Sequence, residues 1–455
     1  MPLSKLSIIK SHIKDVIKIS WPIIVGQLGL VLTGFFDNIM VAKLGHEELA
    51  AAGICNSIFF LLAVFPMGVT ISYATIVGLL VGKNKIQSTH LLVRDSFIIT
   101  LLLSLITVVL IYISIQCFEI FNQEPEIDVL SKPYFFLLML STPPMLLFYF
   151  AKNLSDGFSY TRGGMVITVF ALIINVFLNW VFIYGNLGSP AYELEGAGYA
   201  TIISRCFMGI SMVYLFIVSK QTPISFKTLK ACFTNKQTFK FFKQIAGLGF
   251  PTGLQYFFEI AAFAFAAIMA GWLGSKELAA HQLAITIASV TYMFASGLSA
   301  GSSICVAKEI GNKNSLNAKT YGKAGHILGL SVMSVFAFIF LVFNQSITAV
   351  FTQDSEVLKM GAELLILAAM FQLGDGLQAI SIGVLRGIED VKIPSIITFF
   401  VYWAVAIPLG YFLSQNASTP TYYNGANGIW IGLALGLTFS AIILTYRFYS
   451  LIRTK

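Results

Sequence analysis

Hydrophobic residues run through this chain in long stretches, each about as long as the ~20-residue helix that crosses a lipid bilayer. None shows the strict alternation of barrel strands, so the stretches are predicted to be α-helices, whose backbone groups are satisfied internally. The predicted spans are residues 19–42, 50–81, 93–116, 131–151, 163–185, 196–219, 247–271, 278–307, 321–343, 358–385, 394–414 and 427–448. The pattern predicts an all-α polytopic membrane protein with twelve transmembrane helices.

Composition supports this interpretation. The 455 residues are 57% hydrophobic and only 11% charged, with a mean hydropathy of +0.81. Soluble domains are about 25% charged, which excludes a soluble enzyme, a disordered chain and a fibrous protein. The five Cys residues are scattered without a CxxC pair or a neighbouring His, a pattern that favours neither a disulfide framework nor a zinc site.

The basic residues predict the orientation. Most of the 29 Lys and Arg fall in every second loop, beginning with the N-terminal segment, and such loops are typically cytoplasmic. Both termini are therefore expected in the cytoplasm, and the net charge of +8 is interpreted as a topology signal rather than a nucleic-acid surface. The basic, amphipathic residues 1–18 lack the features of a cleavable signal peptide.

An internal repeat divides the chain. WPIIVGQ at 21–27 aligns with FPTGLQY at 250–256, and LGHEELAA at 44–51 aligns with LGSKELAA at 273–280. Each half holds six spans, an even number, which predicts two parallel six-helix bundles related by a pseudo-two-fold axis along the membrane normal. The predicted domains are an N-terminal bundle (1–219), a basic cytoplasmic linker (220–246) and a C-terminal bundle (247–455).

Three acidic residues, Asp37, Glu259 and Asp375, fall inside apolar spans, whereas Asp95 and Asp156 are assigned to cytoplasmic loops. A charge at membrane depth costs about 2.5–3.5 kcal/mol even on lenient scales, unless it faces a cavity, a cation or a proton. Because Arg205 is the only basic residue well inside a predicted span, away from its ends, the three acids are candidates for holding a proton or a monovalent cation. A purely structural, hydrogen-bonded acid remains the alternative at each position.

Polar and aromatic residues could complete such sites. Asn175 and Asn179 are four residues apart and share a helix face, while Thr201 and Tyr134 lie in neighbouring spans; packing between helices would also explain these four. Phe257 lies beside Glu259, and Tyr292 and Met293 lie on the next span. An acid with aromatic neighbours suits an organic cation, through charge pairing and cation–π attraction.

Four segments carry a resemblance to a known family: FFDNIMVAKLGHEELAAAG (35–53), NVFLNWVFIYG (175–185), GFPTGLQYFFEIAAFAFAAIMAGWLGSKELAAHQ (249–282) and FQLGDGLQAISIGVLRGIED (371–390). They resemble the multidrug and toxic compound extrusion (MATE) family, in its NorM-like branch. The resemblance implies a multi-pass protein of the bacterial inner membrane.

The resemblance also assigns roles. It implies that Glu259 and Asp375 bind the coupling cation, sodium in some relatives. It implies a second cluster, linked to protonation or sodium binding, at Asp37, Asn175, Asn179, Thr201 and Tyr134. Gln27 and Gln282 align with polar cavity positions. One position departs from the pattern, because Phe371 stands where NorM-like sodium sites have a Tyr.

The leading hypothesis is a secondary antiporter that exports amphipathic organic cations by alternating access, driven by H⁺ or Na⁺. A lipid-linked-precursor flippase of the same wider superfamily is the alternative, although three intramembrane acids against one Arg disfavour a pyrophosphate cargo. No catalytic motif supports an enzyme, and no cofactor is expected. The protein is expected to act as a monomer in the lipid bilayer, without a nucleic-acid partner. The missing oxygen at Phe371 favours H⁺ over Na⁺ as the coupling ion.

Overall fold

The computed structural model of the protein is helical throughout. It describes residues 5–121, 123–222, 224, 239–415 and 424–453, and those ranges contain no β-strand. The predicted all-α class is confirmed. Most of the predicted linker lies outside the described residues.

The helices before the linker are α1 (Lys5–Val41), α2 (His46–Gly82), α3 (Thr89–Gln116), α4 (Pro125–Leu140), α5 (Thr142–Gly157), α6 (Arg162–Tyr184) and α7 (Glu193–Val218). Those after it are α8 (Phe242–Leu273), α9 (Ser275–Gly311), α10 (Ser315–Ala349), α11 (Ser355–Gly387), α12 (Lys392–Phe400), α13 (Ile407–Gln415) and α14 (Gly425–Leu451). A π-helical turn, Val401–Ala406, joins α12 to α13.

Twelve helical stretches in the described part of the chain are long and apolar enough to cross a membrane, which confirms the predicted number. Helices α4 and α5 together form the fourth stretch, and α12, the π turn and α13 form the eleventh. Several helices are longer than predicted; the fourth stretch covers Pro125–Gly157 rather than 131–151. Its added ends carry polar and charged residues, which hydropathy alone does not assign to a span.

The fourth span is broken at Ser141, between α4 and α5. Pro143 and Pro144 begin α5, and neither has a backbone N–H to continue the hydrogen-bond ladder of α4. The carbonyl of Leu138 accepts both the Ser141 hydroxyl at 2.6 Å and the Ser141 backbone N–H at 3.1 Å, which closes the last turn of α4. The break therefore has a local cause in the sequence.

The helices form two compact units: one contains residues 25–253, and the other contains residues 1–24 and 254–455. In the first, Phe118, Phe135 and Leu146 are among the buried core residues; in the second, Trp430, Tyr402 and Leu365 are. The predicted domain bounds, 1–219, 220–246 and 247–455, remain a prediction. The repeat is visible at the starts of α2 and α9, each of which follows the glycine of the repeated LG pair, Gly45 or Gly274.

The first residues of α1 pack on α10 within the second unit. The Tyr321 hydroxyl donates to Asp15 Oδ2 at 3.0 Å, and the rings of Tyr321 and His12 lie 4.1 Å apart. These contacts fix the N-terminal part of α1 against a helix made much later in the chain.

Helices α13 and α14 approach each other closely at two glycines. A Cβ atom at Gly432 would lie 2.5 Å from the backbone nitrogen of Gly410 and 2.6 Å from the carbonyl oxygen of Ala406. Small residues allow membrane helices to come this close. This contact helps to hold the helix that follows the π turn.

Candidate functional sites

The first candidate site, here called the C-terminal acidic site, consists of Glu259 on α8, Asp375 and Gln378 on α11, and Tyr402 in the π turn. All four are buried. The Tyr402 hydroxyl donates to Glu259 Oε1 at 3.4 Å and accepts from Gln378 Nε2 at 3.1 Å. A chain of hydrogen bonds thus runs from α11 through the π turn to the carboxyl on α8.

The two carboxyls of this site, Glu259 and Asp375, lie within electrostatic range of each other. Two nearby carboxylates away from water cannot both ionise without a compensating charge. One of the two can hold a proton, or the pair can bind a cation. Gln378 Oε1 is buried without a hydrogen-bond partner among the described residues, so the site also offers a free amide oxygen.

The π turn has a local explanation in Pro408. A proline within a helix removes one backbone hydrogen bond and crowds the carbonyl four residues earlier, here Ala404. The wider π turn includes Ala404, and Tyr402 and Trp403 belong to the same turn. The Trp403 indole donates to the Phe258 carbonyl at 3.2 Å, which fastens the turn to α8 beside Glu259. Such π segments frequently occur at functional sites.

A small cavity of about 10 Å³ lies beside Glu259. Its lining consists of Gln255, Tyr256, Glu259, Tyr292, Ser296, Ser299, Ala379 and Ile382. A cavity needs roughly 10–15 Å³ to hold one water molecule, whereas drug-sized pockets have volumes of roughly 300–1,000 Å³. In this structure the cavity is therefore on the scale of a single water molecule or small ion.

Only some of the residues predicted to line a cavity near Glu259 do so. Tyr292 lines the cavity, but on α8 it is Tyr256 rather than Phe257 that does so. Phe257 and Met293 are half-buried, and Gln282 is exposed. The Phe257 ring packs edge-on against Phe258, with 5.6 Å between the ring centroids.

Phe371, the position that departs from the sodium-binding pattern, is buried among aromatic rings. Its ring centroid lies 5.5 Å from that of Trp430 and 6.0 Å from that of Phe263. The hydroxyl that reaches Glu259 comes instead from Tyr402, on a different span. Sequence reasoning missed Tyr402; the only signal was its position six residues before Pro408.

The second candidate site, here called the N-terminal acidic site, consists of Asp37 on α1, Asn175 and Asn179 on α6, and Tyr134 on α4. Asn179 Nδ2 donates to Asp37 Oδ1 at 2.5 Å and to Asn175 Oδ1 at 3.3 Å. Both Asn side chains are fully buried, and Asp37 is half-buried. Asn179 thus bonds directly to Asp37 and links it to Asn175.

Tyr134 and Thr201 are both buried. The Tyr134 hydroxyl lies within electrostatic range of Asp37 and interacts with Asn56 of α2. Gln27 lies ten residues before Asp37 on the same helix, about 15 Å along its axis, which separates it from this site.

Arg205 on α7 interacts with this cluster, although sequence analysis assigns it no role. Its Nη1 donates to Ser141 Oγ at 2.6 Å, and its guanidinium lies 4.6 Å from the centroid of the Phe59 ring. It interacts electrostatically with Asp37, Tyr134 and Tyr149. The hydrogen bond to Ser141 places it at the break between α4 and α5.

Two acids assigned to cytoplasmic loops lie instead on helices and are buried. Asp95 on α3 pairs with Arg94 at 2.8 Å and accepts the Phe241 backbone N–H at 2.8 Å. Asp156 on α5 pairs with Lys152 at 2.7 Å. The loop assignment was wrong because each acid is neutralised by a neighbouring base, which lets the helix continue through charged residues.

Comparisons with known proteins cover almost the whole chain. The MatE family model matches residues 22–181 and 251–412. A probable multidrug resistance protein NorM of Pasteurella multocida is 32% identical over 448 residues, 98% of this chain and 96% of the relative. One from Bacillus anthracis is 31% identical over 451 residues, 97% and 96% of the two chains.

Solved structures share the fold. A MOP superfamily transporter from Pyrococcus furiosus superimposes with a TM-score of 0.88 at 19% identity, over 97% of this chain and 96% of that one. A eukaryotic MATE transporter superimposes with a TM-score of 0.84 at 17% identity, over 98% of each chain.

Proposed function

Because the chain belongs to the MatE family, as a NorM-like multidrug efflux transporter and not an enzyme, we propose that it exports amphipathic organic cations in exchange for a coupling ion. The proposed coupling ion is H⁺, with Na⁺ as the alternative. The coupling groups are Glu259 and Asp375 at the C-terminal acidic site and Asp37 at the N-terminal one.

The observation that carries this proposal is the burial of both Glu259 and Asp375 without an ion-pair partner among the described residues. Tyr402 donates to Glu259, and neither acid forms an ion pair within the part of the chain that the structure describes. A pair of buried acids without a fixed base has to bind a mobile positive charge. A proton and an organic cation can therefore compete for it, which is the requirement for exchange.

The hydrogen-bond direction at Glu259 supports H⁺. Gln378 donates to Tyr402, and Tyr402 donates to Glu259. This series of hydrogen bonds therefore directs a hydrogen atom, rather than an oxygen lone pair, at the Glu259 carboxyl. A proton requires only the carboxyl, whereas sodium requires several oxygens directed at one point. The free Gln378 Oε1 and the Tyr402 oxygen keep sodium as the alternative.

The aromatic lining supports an organic cation as cargo. Tyr256 and Tyr292 line the cavity at Glu259, and the faces of aromatic rings attract cations. In this structure the cavity has room only for a water molecule or small ion, so binding of a drug at Glu259 would require the cavity to widen. For orientation, the positive-inside pattern supports two cytoplasmic termini, and the bacterial relatives support an inner-membrane location.

The test is efflux of a fluorescent organic cation from vesicles, with a proton gradient and a sodium gradient imposed separately. We expect the proton gradient alone to drive transport. Transport driven only by sodium would overturn the choice of ion, and transport driven by neither would overturn the antiporter. Ion-independent movement of a lipid-linked pyrophosphate would favour the flippase.

A further inference from the structure

The N-terminal acidic site holds an acid and a base that do not pair with each other. Arg205 is bonded to Ser141 and lies over Phe59, and Asp37 is bonded to Asn179. No ion pair joins them in the described residues, although they interact electrostatically. This separation of charges inside a membrane span requires a physical explanation.

We propose that Arg205 is a tethered counter-cation for Asp37. It pairs with the Asp37 carboxylate when the mobile proton or organic cation has left, and returns to Ser141 when one binds. This inference rests on the proposed function to the extent that Asp37 is taken as a coupling group.

The partners of Arg205 in this structure leave its charge unneutralised. Ser141 is a neutral acceptor, and a ring face attracts a cation without cancelling its charge. The titratable groups around it are Asp37 on α1, Tyr134 on α4 and Tyr149 on α5, with the Cys55 thiol of α2 beside Tyr134. Among these, a carboxyl is the only group that is anionic at neutral pH, so Asp37 is its natural ion-pair partner.

Asn179, the hydrogen-bond partner of Asp37 in this structure, could be exchanged for Arg205. Asn179 is neutral, and its Oδ1 is buried without a hydrogen-bond partner in the described ranges. The amide N–H can donate to the carboxyl whether it is neutral or ionised, whereas Arg forms a charge-assisted bond only with the ionised carboxylate. Asp37 therefore has one partner that suits both charge states and a second, Arg205, that suits only the ionised state.

A tethered cation would allow Asp37 to release its ion without leaving a bare carboxylate in the membrane. It would also change the hydrogen bonding at the break between α4 and α5, because Arg205 must leave Ser141 to reach Asp37. Ion release at the N-terminal acidic site would thereby be linked to the broken fourth span.

The test measures protonation of Asp37 directly, without transport. The purified protein is treated with a hydrophobic carbodiimide, which modifies protonated carboxyls, over a pH series, and labelling of the Asp37 peptide is quantified by mass spectrometry. Because Arg205 favours the ionised carboxylate, Arg205→Gln should extend labelling upward by about one to two pH units. Arg205→Lys, which keeps the charge, should restore most of the wild-type curve. The Glu259 peptide serves as an internal control.

Ser141→Ala separates the tethered cation from a structural role. It removes the bond that holds Arg205 away from Asp37 but leaves the charge in place, so labelling should end at the same or a lower pH than in the wild type. The proposal is overturned if Arg205→Gln leaves the Asp37 curve unchanged, or if Ser141→Ala shifts it upward as Arg205→Gln does. The labelling result is independent of whether vesicles show ion-driven efflux, so failure of the antiporter would be recognised separately.

Discussion

The Tyr402 hydroxyl donates to Glu259 Oε1 at 3.4 Å, although 143 residues separate the two in sequence. The bond joins the π turn of the eleventh span to the acid on α8. It makes Tyr402 the residue that sets the hydrogen-bonding state of the proposed coupling acid.

We expect Tyr402→Phe to weaken coupling without preventing folding, because the ring still packs while the hydroxyl is lost. A hydrogen bond to a charged group contributes about 1.5–3 kcal/mol, and here it stabilises the ionised carboxylate. Its loss should therefore raise the apparent affinity for the coupling proton roughly tenfold or more and hinder proton release. The measurement is efflux rate against coupling-ion concentration. Tyr411→Phe, at an exposed tyrosine on α13, should behave as the wild type. Equal behaviour of the two variants would remove Tyr402 from the site.

Glu259→Gln and Asp375→Asn should each abolish drug resistance while membrane expression stays intact. A neutral isostere keeps the shape of the side chain but can neither release a proton nor balance a cation. Resistance of cells that express each variant is compared with expression by immunoblot. Glu356→Gln provides the matched control, since Glu356 is an exposed partner of Lys276 outside the site. Near-wild-type efflux in both variants would make the two acids structural.

Asn179→Ala should impair the N-terminal acidic site selectively. The substitution removes the amide that donates to both Asp37 and Asn175. We expect a lower transport rate with a changed pH dependence, and little loss of thermal stability. Asn344→Ala is the control, because the Asn344 side chain lies outside the site and donates to the Leu341 carbonyl of its own helix. An unchanged pH profile for Asn179→Ala would argue against a coupling role for Asp37.

The hydropathy pattern alone was sufficient to predict the twelve spans, because the cost of burying polar backbone in lipid leaves few alternatives. The sequence also identifies Glu259 and Asp375 as candidates, because a carboxylate within an apolar membrane segment is energetically costly in any arrangement of the helices. Tyr402 is not identifiable from the sequence, because its hydrogen bond to Glu259 depends on the π turn. That turn places the Tyr402 side chain differently from an α-helix. Asp95 and Asp156 were misplaced for a related reason: a base that neutralises a buried acid is recognised only once the helices are in position.

Transport should persist in sodium-free choline buffer with a proton gradient and collapse when a protonophore is added. The reason is that the Tyr402 hydroxyl donates to Glu259, which leaves the carboxyl hydrogen-bonded without a metal ion. Transport that stops without sodium and returns on its addition at fixed pH would show sodium coupling. Phe371→Tyr is a second test of ion choice. If position 371 faces the ion, the added hydroxyl oxygen should increase the dependence of transport on sodium.

Gly432→Val should destabilise the protein by about 1–3 kcal/mol, because the new side chain would overlap the backbone of Gly410 and Ala406. A lower Tm of the purified protein in detergent is the expected result. Gly53→Ala is the control, since a Cβ at Gly53 meets no atom within 4 Å. An unchanged Tm for Gly432→Val would mean that α13 and α14 can separate at little cost.

The contact between Asp15 and Tyr321 spans 306 positions of the chain and has a consequence for biosynthesis. The first turns of α1 leave the ribosome before any of the helices with which they share a compact unit has been made. During translation these turns have no native partner, so they must wait at the membrane surface or pair temporarily with other segments. Completion of that unit is therefore a late event, set by synthesis of α10 and the helices after it rather than by the order in which the spans enter the bilayer.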